Sequence, residues 1–156
     1  MKIRSVTADH RKREFRIQTA RGQQFAYPFS QAGTQPARGT TIKALHVDAE
    51  LGKEAFTYAL DTGEEGSVHL EQVLEFNRDP TYMADLVTYK LTVAAREGLA
   101  ESGLSRRYIA KRLNTSVPQL YRLLDPANSR KSMGQLLALL HLLNREVEVI
   151  VRPATS

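Results

Sequence analysis

Seven cations and one acid lie between Ser105 and Lys131. Arg106, Arg107, Lys111, Arg112, Arg122, Arg130 and Lys131 stand against Asp125 alone. Guanidinium and ammonium groups at this density attract phosphate, and an arginine can also grip two acceptors at once with parallel N–H bonds. The excess is local. Residues 1–78 carry 11 Lys+Arg against 10 Asp+Glu, whereas residues 79–156 carry 11 against 7. Most of the net charge of +5 therefore sits in the second half of the chain. Such an imbalance points to a polyanionic partner and says nothing yet about fold.

Other chemistry is poorly supported. The four histidines, His10, His46, His69 and His141, are far apart, and none has metal-ligand spacing. Glu64-Glu65 is an acid pair in a turn, where adjacent carboxylates face water. Gly63 and Gly66 flank those acids, which would repel a phosphate. The chain has no Cys, which excludes disulfides, thiolate catalysis and thiolate metal sites together. No catalytic group, metal or cofactor is expected. A reducing cytoplasm is the expected location. No apolar run approaches the roughly 20 residues that span a bilayer, so no membrane association is expected. The N-terminus, MKIRSVTADHRKREF, lacks the apolar stretch of a signal peptide.

The cations must be held by the segment SRRYIAKRLNTSVPQLYRLL, residues 105–124. Its spacing predicts two short helices. Ser105 can cap the first, and Ile109, Ala110 and Leu113 share one face. Asn114 tolerates the left-handed conformation that a helix exit needs. Thr115 or Ser116 caps the second helix, and Pro118 falls in its first turn, where a missing N–H costs no internal bond. Val117, Leu120, Leu123 and Leu124 form its apolar face. Asp125–Lys131 is a loop, and Ser132 caps a further helix, Met133–Leu143. In that helix Leu136, Leu137, Leu140 and Leu143 suffice for a core face. Leu139 and Leu142 lie off it and are expected either to form a homodimer interface or to be covered by the β domain.

The stretch IAKRLNTSVPQLYRLLDP followed by SMGQLLALLHLLN resembles the helix-turn-helix of phage-repressor-like (Xre-type) transcription regulators, over roughly residues 80–152. That superfamily includes the antitoxins of bacterial toxin–antitoxin pairs. Asn114 stands where the family usually has Gly. The resemblance implies double-stranded DNA as partner and a second helix lying in the major groove. Arg106 would then meet a phosphate, and Arg107 a second. Thr115, Ser116, Val117 and Pro118 would face the duplex at the start of the second helix. Val117 and Pro118 are able to touch a thymine methyl but not to donate a hydrogen bond. Gln119 and Arg122 are long enough to reach base edges. Arg130 and Lys131 would clamp phosphates from the loop. The implied biology is an autorepressing antitoxin with a toxin protein as further partner. A stand-alone ligand-sensing repressor and a protein-interaction module that no longer binds DNA are the competing readings.

The first half reads differently. Ile3 and Val6, then Phe15, Ile17 and Thr19, alternate with polar residues as half-buried strands do. His10–Arg13 is the expected turn between them, and Arg21-Gly22 the next, before a strand over residues 24–29. A loop over 30–40 precedes a hairpin of Thr41–Ala49 and Glu54–Leu60, then a short strand Ser67–His69 and a brief helix from Leu70 to Asn77. Asp79-Pro80 marks the expected boundary, followed by a helix Pro80–Glu101 with Met83, Val87, Leu91, Ala94, Ala95 and Leu99 inward. Val147, Val149 and Val151 alternate with Glu146, Glu148, Ile150 and Arg152 as a final strand. The expected fold class is α+β. A small antiparallel β domain, 1–78, precedes an all-α helix-turn-helix domain, 79–156, that ends in a short strand.

Overall fold

The computed structural model describes residues 1–37 and 39–154. It is a mixed α+β protein with two three-stranded antiparallel sheets and five α-helices among the described residues. The first sheet contains β1 (Ile3–Asp9), β2 (Glu14–Thr19) and β3 (Gln24–Pro28) in that order. The second contains β4 (Ile42–Val47), β5 (Ala55–Leu60) and β6 (Glu65–His69). The helices are α1 (Leu70–Phe76), α2 (Pro80–Ser102), α3 (Arg106–Arg112), α4 (Val117–Leu123) and α5 (Met133–Leu142).

Each sheet forms because alternate side chains are apolar and the turns between strands carry suitable residues. Between β1 and β2, Asp9 accepts from the Lys12 amide at 3.0 Å and Arg13 takes a left-handed φ of 55°. Between β4 and β5, one oxygen of Asp48 accepts from the Glu50 and Leu51 amides while the other accepts from the Thr57 hydroxyl. These bonds hold the Asp48 carboxyl below its usual pKa. The Thr57 hydroxyl is the largest cause, the two amides add to it, and partial desolvation opposes it. Inward residues of both sheets meet in one core. Phe15 packs its ring against Phe29, Phe56 and Tyr58 at centroid distances of 4.8, 4.9 and 5.0 Å. Leu70, Val73 and Leu74 of α1 belong to the same core.

The chain divides into two compact units between Met83 and Ala84, inside α2 rather than at Asp79. Asp79 does cap the helix, accepting from the Tyr82 amide at 3.0 Å. The first helical turn stays with the β unit because Tyr82 packs on its core. The second unit is helical and has its own core of Ala95, Leu99, Ile109, Leu120, Leu123, Leu136, Leu139 and Leu140, among others.

Four expectations for this unit need correction. Leu139 is fully buried in the unit's own core and offers no dimer surface, and Leu142 is half-buried against that core. Leu137, expected inward, is exposed instead. With leucine at nearly every position, 136-137-140 and 136-139-140 are both acceptable helical faces, and only the neighbouring helices decide between them. Val87 of α2, also expected inward, is exposed. Finally, residues 145–154 form no strand. An all-helical unit offers no sheet edge, so the backbone N–H and C=O groups there have no ladder to join.

Candidate nucleic-acid interface

The two short helices and their turn are held by local hydrogen bonds. Ser105 caps α3 by accepting from the Tyr108 amide at 3.1 Å, and Ser116 caps α4 by accepting from the Gln119 amide at 3.2 Å. Asn114 sits at φ 54°, in the left-handed region, and the Thr115 amide returns to the Ala110 carbonyl at 2.9 Å. Ile109, Ala110 and Leu120 are buried, so they fix which way the remaining faces point.

The outward face of α4 carries Pro118, Gln119, Tyr121 and Arg122, all exposed. Gln119 and Arg122 are three apart and therefore neighbours on that face. The outward face of α3 carries Arg106, Arg107, Lys111 and Arg112, also exposed. Arg106 lies over the Tyr121 ring, 5.5 Å from its centroid, which links the start of α3 to α4. Arg130 is exposed on the loop, where its amide donates to Asn128. The cations of α3 and the long polar side chains of α4 are thus on solvent-facing sides of two helices that touch at Arg106 and Tyr121.

Other expected contacts are placed differently. Val117 is half-buried and packs against the core, so its methyls serve the fold. The Ser116 hydroxyl is engaged as a cap. Thr115 is half-buried in the turn. Lys131, expected on a phosphate, is a structural residue. Its ammonium donates to Thr92 Oγ1 at 2.9 Å, to the Leu123 carbonyl at 3.0 Å and to the Asp125 carbonyl at 2.7 Å. An ammonium has three donors, and all three are occupied inside the protein. Partial burial pulls its pKa below the ordinary lysine value, and Asp125 opposes that pull.

Two positioning residues were not visible in the sequence. Thr92 is a fully buried hydroxyl on α2 that receives Lys131 and donates to the Thr88 carbonyl at 2.7 Å. Arg96 donates to the Leu124 carbonyl at 3.0 Å and so satisfies the C-terminal end of α4. Both contacts span about thirty residues or more of chain, and no local spacing signals them. A shallow groove beside this arrangement is bordered by Arg96, Glu97, Leu104, Arg106, Tyr121 and Asp125. Its two carboxylates make it a poor phosphate cradle, and the cationic helix surface is the better one.

Among the described residues no three His, Asp or Glu side chains come together in a way that could hold a metal ion, and no helix is long and apolar enough to cross a membrane. Comparison with protein-family models, with curated proteins and with solved structures finds no match to this chain.

Proposed function

We propose that the protein is a sequence-specific double-stranded DNA-binding regulator in which α4 is the reading helix. The observation that carries this reading is the outward face of α4. Gln119 and Arg122 project side by side from a helix whose opposite face is locked into a core, flanked by the exposed cations of α3. A helix of this kind fits the major groove, where Arg122 can bond both acceptors of a guanine edge and Gln119 can bond an adenine. Arg106, Arg107, Lys111 and Arg112 then supply backbone contacts. Those contacts set affinity and salt dependence without reading sequence.

Within this reading, the resemblance over roughly residues 80–152 favours an antitoxin that represses its own promoter. The β unit is the part left to hold a toxin partner. Selection from a pool of random duplexes, followed by titration of the winners at several salt concentrations, tests the DNA reading. The expected result is an enriched motif whose affinity falls steeply with salt. No enrichment, or binding indifferent to salt, refutes it. Co-purification from the native host tests the partner.

A further inference from the structure

The chain leaves the helical unit at a fixed point. Asn144 turns it in the left-handed region at φ 59°, and the Arg145 amide returns to the Leu140 carbonyl at 2.8 Å. The Arg145 guanidinium pairs with Glu101, and its side chain packs beside Gly98 of α2. Beyond that anchor, no backbone hydrogen bond joins residues 146–154 to the rest of the protein among the described residues. Yet the sequence there is EVEVIVR, a run of β-branched residues broken by charges. Val149, Ile150 and Val151 are 85%, 78% and 90% exposed. A valine run in water with no partner leaves unpaired backbone groups that another chain can join.

We propose that residues 146–152 pair with the same residues of a second copy of this chain, as an antiparallel two-stranded ribbon that makes the protein a homodimer. The argument is self-complementarity. With Val149 on the two-fold axis, Val147 falls opposite Val151 of the partner subunit, and Glu146 falls opposite Arg152 of the partner subunit. The symmetry makes each of those pairs twice. One face of the ribbon is then all valine, and the other carries two cross-strand ion pairs outside two Glu148–Ile150 pairs. A parallel arrangement would oppose Glu146 with its own copy, and a one-residue slip would lose the Glu146–Arg152 pairs. Pro153 cannot donate to a ladder and ends the ribbon where the charges end. This interface replaces the leucine face of α5, and it does not depend on whether α4 reads DNA.

The test is the mass of the full chain in solution, without DNA, by sedimentation equilibrium. Wild type should run at twice the 17.5 kDa protomer mass. Glu146→Arg alone and Arg152→Glu alone each turn two attractive pairs into two repulsive ones, and should weaken the dimer about tenfold or more. The double variant E146R/R152E restores opposite charges and should return to near wild-type affinity. Val149→Lys places two like charges on the axis and should give a monomer. These side chains lie outside both cores, so circular dichroism should be unchanged in every variant. A monomeric wild type overturns the proposal. So does a dimer indifferent to these changes, or a double variant that fails to recover.

Discussion

Replacing Lys131 by Met keeps an unbranched side chain out to Cε and removes the ammonium. Three acceptors then lose their donor: Thr92 Oγ1, the Leu123 carbonyl and the Asp125 carbonyl. The Asp125 carbonyl lies in an exposed bond, and water replaces the lost donor there at little cost. The other two bonds are part-buried, and hydrogen bonds to a charged group are worth ~1.5–3 kcal/mol each. Partial exposure reduces that sum, and a net loss of about 2 kcal/mol is expected. In a unit of this size each kcal/mol shifts the midpoint by ~4–8 °C, so Lys131→Met should unfold roughly 8–16 °C below wild type. Its affinity for a duplex, measured well below that temperature, should keep the wild-type salt dependence. Arg130→Ala is the contrasting control. It should leave the melting temperature nearly unchanged and flatten the salt dependence by about one unit. Calorimetry and fluorescence titration on the same preparations read both quantities. A Lys131→Met protein with wild-type stability and a flattened salt slope would refute the reasoning, since Lys131 would then be a phosphate contact after all.

Two further outcomes concern the β unit. At Gly66 an added Cβ would collide with the ring and hydroxyl of Tyr58, which is buried and donates to the Thr34 carbonyl. Gly66→Ala should therefore cost ~1–3 kcal/mol in urea unfolding, and an unchanged midpoint would show that the ring can move aside. Asp48 has a folded pKa below its ordinary value of 3.8, so its stabilisation is fully present above that value and is lost as the pH falls through the folded one. Wild type and Asp48→Ala should differ in stability at neutral pH and converge in acid; a gap that persists at the lowest pH would contradict the assignment.

How far the chain could be read in advance follows from the kind of interaction each element needs. Strands β1, β2, β4 and β5 have period-two patterns with turn residues between them, and both signals are local. The bulges that shift register between Ile3 and Ser5 and between Ile42 and Ala44 leave no such mark. The cap Ser105 and the left-handed Asn114 were legible because each acts within four residues, and the second cap was narrowed to Thr115 or Ser116. The inward face of α5 was not, because leucine at 136, 137, 139 and 140 fits more than one face. Arg130 and Lys131 look alike in a sequence, yet one is exposed and the other threads back to Thr92. The valine alternation after Arg145 has a strand's pattern, but a strand also requires an edge to pair with, and the chain's own helical unit has none.

The central claim is that α4 reads base edges while α3 holds the backbone. Parallel titrations of wild type, Arg122→Ala and Arg106→Ala against a selected duplex and a scrambled one, at several salt concentrations, test it most directly. Arg122→Ala should lose ~1–3 kcal/mol on the selected duplex only, with preference relaxed at one position. Arg106→Ala should weaken both duplexes alike and lower the salt slope by about one unit. Equal losses on both duplexes for Arg122→Ala, or no change in either variant, would contradict the account.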